Sequence, residues 1–350
     1  MTRNISLLTV LALSFSALFS CARTLQAGKK DGPEKVELEG YAEWWHEGSL
    51  VVDGERVRPD GDMKFRGHGD ARRFESIPLG YEVKVEGIRA GDGSVLAGRV
   101  EAKPNGIAWL ETDVTRSFDE VEQTWRRLGY VVENPDDPST RLGRLIESGP
   151  EVERVDRIAR RLLPPYVDPE HYRVYVVDNE QWNAMAGPNG SVFVFRGLLQ
   201  ELDDDEVAIV LGHELAHATH EHSRRAFKKS FFVGLLVESG LGVIDGAVEG
   251  QAKRQVASLG AMLAAMAWEN RYSRTQEDQA DRVGLRYAYE GGFDVSKAPE
   301  LWRKFAKKYG DTNGVLGFFF ADHSSASDRA RKLERELSLN YSRDALSDSR

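Results

Sequence analysis

The residues most suited to chemistry in this chain are two histidines and a glutamate within five consecutive positions. His213, Glu214 and His217 form the pattern His-Glu-x-x-His. On a helix, residues four apart differ by about 40° around the axis and about 6 Å along it, so both imidazoles can reach one metal ion. Glu214 lies about 100° away from His213 and can approach a water molecule at that ion. This spacing predicts a zinc peptidase site, and the alternative is a structural helix with two surface histidines.

A catalytic zinc ion usually takes three protein ligands and leaves the fourth position for water. Cys21 is the only cysteine of the chain, so the third ligand is expected to be a histidine or a carboxylate. His220 lies about 10 Å beyond His213 along the helix axis, and His222 points to the opposite face. We therefore expect His220 and His222 to be solvated groups or groups in a second layer around the ligands.

Two carboxylates downstream are better candidates for the third ligand. Glu277 and Asp281 are four residues apart and share a face if their segment is helical. One of them can bind zinc while the other accepts an N–H from a ligating imidazole, which fixes the tautomer of that ring. Taken alone, the segment would predict a solvated, charge-rich helix, and only the histidine motif changes that interpretation.

Sequence patterns also predict the elements that position these residues. Asp203 and Glu206 form a capping box, so the helix with the histidines is expected to begin there and to run to about Arg225. Upstream, Ser117 with Glu120 predicts a capped start for another helix. The predicted upstream elements are that first helix, ending at Gly129, a second over 152–163, and two strands over 172–177 and 191–195 with a turn at 187–190.

Residues 34–104 show a different pattern, in which apolar and polar residues alternate in short runs. Asp53-Gly54, Asp60-Gly61 and a cluster at 91–93 separate the runs. Alternation with period two and turn residues at this spacing predict a small all-β domain. We expect a partly open barrel similar to the small OB-like barrels that occur as accessory domains.

The N-terminus predicts a secretory signal. Arg3 precedes an apolar run that ends shortly before Cys21. Residues 18–21 resemble the bacterial lipoprotein box, so Cys21 is the predicted lipidation site. The alternatives are an ordinary cleaved signal with an incidental cysteine and a retained anchor. We expect a periplasm-facing lipoprotein of the bacterial cell envelope, bound to the outer membrane by its N-terminal lipid.

The composition is that of a globular protein, with 350 residues, 41% hydrophobic and 29% charged. Fifty-six acidic against 47 basic residues give a net charge of −9. This balance disfavours binding to nucleic acid through a net positive field, so no nucleic-acid partner is expected. The apolar stretch 231–266 contains charged residues and predicts packed helices near the site, with a membrane-leaning face or a peptide-binding surface as alternatives.

Four segments of the chain together resemble one known family. They are 183–186, 188–190, the motif at 213–217 and the segment 273–281. Their order and intervals are similar to those of the zinc metallopeptidases of the HtpX and CAAX prenyl protease superfamily, in particular its soluble periplasmic BepA-like branch. The resemblance covers roughly residues 112–335 and does not include the β domain.

The resemblance implies roles for particular residues. Glu277 would be the third zinc ligand and Asp281 would support a ligand. Asn183 and Ala184 would lie on an edge strand that holds a peptide substrate in extended form.

His323 and Arg329 resemble a late element of the family that closes over the active site. His323 would stabilise the oxyanion or occupy the fourth zinc position, and an incidental loop histidine is the alternative. Arg329 would steady the loop or the developing charge.

The predicted fold class is α+β, with a mainly helical zincin-type metallopeptidase domain that contains a small edge-strand β-sheet and follows the small OB-like barrel. The predicted segments are a signal peptide over 1–20, a tether over 21–33, the all-β accessory domain over 34–104, the zinc metallopeptidase domain over 107–335 and a C-terminal tail over 336–350.

The predicted function is that of a zinc metalloendopeptidase with one Zn²⁺ per chain. Its substrates would be extended, unfolded or misassembled envelope proteins, as in protein quality control. Zinc would lower the pKa of its water, and Glu214 would take the proton and deliver it to the leaving amine.

Two alternatives to this function remain open. One is a periplasmic chaperone or assembly adaptor with a latched or structural zinc site, against which the intact Glu214 argues. In the other, the β domain is the main actor and recruits an envelope glycan or protein.

Overall fold

The computed structural model describes residues 34–46, 48–104, 108–132, 141–165, 167–220, 222, 272, 274–310 and 325–341. Several sequence predictions concern residues outside these ranges. They are the signal peptide and tether over 1–33 with Cys21, the apolar stretch 231–266, His323, and the end of the tail over 342–350.

Residues 35–103 form five strands that close into a barrel with the order β1-β2-β3-β5-β4. Strands β3 and β5 are parallel, and the other neighbours are antiparallel. The sequence predicted a partly open barrel, and this detail was wrong because β1 pairs along its first half with β4 and along its second half with β2. The strands are β1 Lys35–His46, β2 Ser49–Val52, β3 Glu55–Gly67, β4 Glu82–Arg89 and β5 Val95–Lys103.

The predicted turn at Asp53-Gly54 joins β2 to β3. Both residues have positive φ, 50° and 80°, which is the backbone of the two-residue hairpin turn that Asp-Gly favours. Inside the barrel, apolar residues such as Val83 and Val85 of β4 are buried, while Lys84 between them is exposed. The period-two pattern of the sequence therefore corresponds to the inside and outside of the barrel.

The second sheet has five strands in the order β6-β7-β8-β10-β9. Strands β8 and β10 are parallel, and β9 pairs antiparallel with β10 at the edge of the sheet. The two strands predicted from the sequence are β8 and β10, and Gly190 in the turn between β9 and β10 has a φ of 82°. The strands are β6 Tyr130–Val132, β7 Arg141–Ile146, β8 Arg173–Asp178, β9 Ala184–Ala186 and β10 Ser191–Phe195.

Seven α-helices lie in the described part of the chain, which makes the fold α+β. None of these helices is long and apolar enough to cross a membrane. They are α1 Ala108–Leu128, α2 Pro150–Leu162, α3 Arg196–Glu201, α4 Asp204–Thr219, α5 Arg274–Glu290, α6 Ala298–Tyr309 and α7 Ala326–Asn340.

Two predicted helix boundaries were wrong. Helix α1 begins nine residues before Ser117, because the segment ahead of the expected cap is itself helical and continues into it. Helix α4 ends at Thr219 rather than near Arg225, because the backbone of His220, with φ −97° and ψ 8°, leaves the helix. The end of α1 was predicted correctly at Gly129, whose φ of 72° suits glycine.

Candidate metal centre

Three buried side chains from two helices converge at one point. His213 and His217 lie on α4, and Glu277 lies on α5. The two Nε2 atoms are 3.0 Å apart, and the Glu277 carboxylate oxygens lie 3.5 Å from His213 Nε2 and 3.4 Å from His217 Nε2. Bonds of about 2.0–2.1 Å in a tetrahedron place the ligand atoms about 3.3–3.4 Å apart, so these three residues match the spacing that zinc requires.

Helix α4 is positioned at its start by the predicted capping box. Asp203 accepts from the backbone N–H of Glu206, and Glu206 accepts from the backbone N–H of Asp203, at 3.0 and 3.2 Å. Nearly every residue of the helix after Glu206 is buried. Its imidazoles are therefore held by core packing on all sides.

The close crossing of α4 and α5 depends on two glycines. A Cβ atom on Gly212 would lie 2.5 Å from the carbonyl oxygen of Gly284, and a Cβ on Gly284 would lie 2.5 Å from the backbone nitrogen of His213. Larger residues would separate the helices. The absence of side chains at these positions allows Glu277 to reach the two histidines.

Asp281 lies beside the first histidine ligand. Its Oδ1 is 3.0 Å from His213 Nδ1 and accepts a hydrogen bond from it, which leaves Nε2 for the metal. Burial opposes ionisation of Asp281, but the Arg329 guanidinium and His213 hold its pKa well below the usual range. Asp281 is therefore a carboxylate that orients the His213 ring.

Arg329 is buried against the same carboxylate. Its Nε donates to Asp281 Oδ2 at 3.0 Å, and its guanidinium lies 3.4 Å from the centroid of the Trp302 ring. Its Nη1 is also 3.8 Å from Glu277 Oε2. The structure thus places Arg329 at the side of the ligands and in contact with two carboxylates.

Glu214 is buried one position after His213. Burial and the nearby Glu277 carboxylate raise the pKa of Glu214 to about 8. It accepts a hydrogen bond from the backbone N–H of Ala186, while its Oε2 has no hydrogen-bond partner among the described residues. Among the described residues, three buried carboxyl groups and one guanidinium lie near this centre, so a bound cation would stabilise the ionised form of the carboxyl groups.

The edge strand β9 runs past Glu214. Asn183 directly precedes β9 and is buried, with its Oδ1 accepting from the N–H of Ala184 at 3.0 Å. The bond from Ala186 to Glu214 joins the strand to the metal centre. The structure therefore places Ala184 on the edge strand and Asn183 directly before it, and Ala186 is the residue of that strand that contacts the predicted base.

Of the two alternatives predicted for His222, the structure supports a place in the second layer around the candidate ligands. Nδ1 of His222 lies 2.7 Å from Nδ1 of His217, and the ring of Tyr272 stacks on His217 at 3.9 Å between centroids. His220 and His222 are both buried, so the solvated alternative was wrong for both. Helical spacing could not reveal this contact, because α4 ends at Thr219, before both residues.

Comparison with known proteins gives a family match that contains the metal centre. The model of "Peptidase family M48" matches residues 151–337, and the barrel lies outside this range. The mitochondrial metalloendopeptidase OMA1 of Bos taurus is 34% identical over 178 residues, 49% of this chain and 33% of that protein. Metalloprotease LoiP of Escherichia coli is 26% identical over 172 residues, 49% of this chain and 64% of that protein.

A relative from a third organism matches a shorter stretch. The β-barrel assembly-enhancing protease of Yersinia pestis is 34% identical over 140 residues, 39% of this chain and 28% of that protein. This chain therefore spans between about a quarter and two thirds of the length of these relatives.

Proposed function

The chain belongs to peptidase family M48, and from this premise we propose that it is a zinc-dependent endopeptidase that cleaves extended polypeptides. The family match confirms the resemblance drawn from four short segments. The observation that carries the proposal is the arrangement of three buried ligand atoms beside a buried glutamate that touches an edge strand.

In the proposed reaction, His213, His217 and Glu277 hold one Zn²⁺ per chain. The ion would supply Lewis acidity and a lower pKa for water at the site. Glu214 takes a proton from that water and returns it to the leaving amine. Burial and the Glu277 carboxylate raise the pKa of Glu214, and a cation at the site would lower that pKa again and favour the carboxylate form that accepts the proton.

The proposed substrate is a peptide in extended form. Strand β9 is at the edge of its sheet, so an added strand can pair with its backbone. Unfolded or misassembled chains offer such a backbone along much of their length, which supports a role in quality control of envelope proteins. The name of the Yersinia relative, which refers to β-barrel assembly, supports this substrate class.

Other parts of the proposal rest on the sequence. They are the bacterial envelope location, the lipid anchor at Cys21, the domain boundaries, and the action of His323 at the oxyanion or the zinc. The envelope partner of the barrel is also part of the proposal.

The decisive experiment compares the zinc-loaded wild type with Glu214→Gln. We expect the variant to keep its zinc and to lose cleavage of unfolded casein by at least about 10²-fold, because the proton acceptor is gone. Zinc content is measured by elemental analysis and cleavage by the release of peptides. Glu300→Gln, an exposed acid on α6, serves as the matched control and should cleave normally.

Each result separates the possibilities. Undiminished cleavage by zinc-loaded Glu214→Gln would refute the role of this residue. A zinc-loaded wild type that binds unfolded casein without cleaving it would support the chaperone or adaptor with a latched or structural site.

A further inference from the structure

A buried acidic residue of the barrel contacts the helix that carries the third ligand. Glu43 on β1 is fully buried, and its Oε1 accepts from Arg282 Nη2 at 2.6 Å and from Gln279 Nε2 at 3.0 Å. Its Oε2 accepts from the backbone N–H of Gly54 at 2.9 Å. Both oxygens are thus occupied, and two of the three donors belong to α5.

The backbone of the same residue contacts the other ligand helix. The carbonyl oxygen of Glu43 accepts from Nε2 of His220, the residue at the end of α4, at 2.9 Å. The neighbouring Trp44 packs against the core that surrounds the metal centre. Glu43 therefore holds α4 through its backbone and α5 through its side chain.

A chain of hydrogen bonds leads from Glu43 to a metal ligand. Gln279 Oε1 lies 2.8 Å from His222 Nε2, and His222 Nδ1 lies 2.7 Å from His217 Nδ1. With the bond from Gln279 to Glu43, three consecutive links connect the barrel to the second histidine of the motif.

The two ends of this chain, a metal-bound His217 and the Glu43 carboxylate, determine which group donates and which accepts in each hydrogen bond. A His217 that binds metal through Nε2 carries its proton on Nδ1 and donates it to His222 Nδ1. Neutral His222 then carries its own proton on Nε2 and donates it to Gln279 Oε1. The Gln279 amide donates in turn to Glu43, whose carboxylate only accepts. The whole chain is satisfied in one protonation pattern.

We propose that Glu43, Gln279 and His222 are positioning residues that fix the ring orientation and the tautomer of His217. Through Glu43, the barrel thus contributes to the affinity of the zinc site. They would do for His217 what Asp281 does for His213. Groups of this kind typically change metal affinity by about 10–100-fold when they are replaced.

The nature of Glu43 argues against simple packing between the two parts of the molecule. Burying a carboxylate and a guanidinium costs several kcal/mol per ion, and apolar residues of similar volume often stabilise a contact as well or better. A carboxylate suits a position where every facing group is a donor, as Arg282, Gln279 and the backbone N–H of Gly54 are. Glu43 occupies that position.

The inference rests on the proposed zinc site, and its test uses the full chain. We compare Glu43→Gln and Gln279→Leu with Asp53→Asn. Asp53 also faces Arg282, at 3.5 Å, but lies outside the chain of hydrogen bonds, and asparagine tolerates its positive φ of 50°. The measurements are zinc affinity in competition with a chelator and the visible spectrum of the Co²⁺-substituted protein. Thermal unfolding checks that each variant is folded.

We expect Glu43→Gln and Gln279→Leu each to weaken zinc binding by about 10–100-fold and to shift the Co²⁺ bands. Asp53→Asn should bind zinc within about twofold of the wild type. The double variant Glu43→Gln/Gln279→Leu should be no weaker than the weaker single variant, because both act through one chain.

A folded Glu43→Gln with wild-type zinc affinity and an unchanged Co²⁺ spectrum would overturn the inference. Fully additive losses in the double variant would also overturn it, since they would indicate two independent structural effects. In either case a wild type that binds zinc and cleaves casein leaves the proposed function intact. If the zinc-loaded wild type does not cleave casein, the proposed function fails, while the zinc affinities of these variants still decide the inference.

Discussion

At the scale of single residues, Arg329 shows why side-chain shape matters in the metal centre. The guanidinium donates to Asp281 and lies over the ring of Trp302. Only a planar group can do both, and an ammonium group has neither the fork nor the face. The sequence led us to expect that Arg329 steadies a loop or the developing charge, and the structure places it against the carboxylate that orients His213.

Arg329→Lys should therefore weaken zinc binding by about tenfold, because Asp281 loses its paired donor and turns less firmly towards His213. Competition with a chelator measures the affinity. Arg331→Lys is the matched control, since Arg331 is two residues away and exposed. Equal zinc affinity of the two variants would show that Asp281 holds its position without Arg329.

At the scale of elements, Glu122 joins helix α1 to the sheet that presents β9. This buried carboxylate accepts from Arg173 at 3.0 and 3.1 Å, from the Tyr175 hydroxyl at 2.6 Å and from Asn189 at 2.6 Å. Ser191 at the start of β10 also donates to it. Burial opposes ionisation, but these donors together lower the pKa of Glu122.

The lowered pKa determines the sign of a pH effect. An acid with a depressed pKa stabilises the fold above its unfolded-state pKa of about 4.3, and this contribution is lost as the pH falls through the folded-state pKa. At neutral pH, Glu122→Gln should lower the free energy of unfolding by about 2 kcal/mol, because an amide cannot accept from all these donors. Below about pH 4 the difference should shrink.

Urea unfolding of wild type and Glu122→Gln at a series of pH values tests this expectation. Glu120→Gln, two residues away on the exposed face of α1, should match the wild type throughout. A difference in stability that stays constant from neutral to acidic pH would contradict the assignment of an ionised Glu122.

At the scale of the whole molecule, the barrel and the metal-binding region belong to one compact unit. Glu43 and Trp44 of β1 reach across to α4, α5 and the core around them. A metal ion bound by His213, His217 and Glu277 would join the same two helices. Loss of the metal should therefore lower the stability of the barrel as well as that of the metal centre.

Removal of zinc should lower the melting temperature of the full chain in a single transition. Binding to the folded state alone stabilises it by about 4 kcal/mol at a thousandfold excess of free ligand over Kd, so chelation removes that contribution. Differential scanning calorimetry of the holo and chelated protein measures the shift. A chelated protein that melts in two steps, one at the holo temperature, would show that the barrel is stable on its own.

Much of the site was predictable because its residues are close in sequence. The pair His213 and His217 needs only a helix, whose start at Asp203 was predicted from the capping box and confirmed. The pair Glu277 and Asp281 likewise needs only a helix, and α5 contains both. The two ends of β10 followed from a short run of β-branched and aromatic residues after the turn at 187–190, and the end of α1 followed from Gly129.

The sequence by itself predicted the types of the candidate ligands, the residue proposed as general base and the division into a barrel and a helical region, because each prediction depends on spacing within one element. Only the tertiary structure decided which carboxylate contacts which imidazole. It also decided that His222 contacts His217 and that the chain of hydrogen bonds ends at Glu43 of the barrel. These contacts join residues up to 236 positions apart. They depend on how separate elements pack, and local periodicity carries no information about that packing.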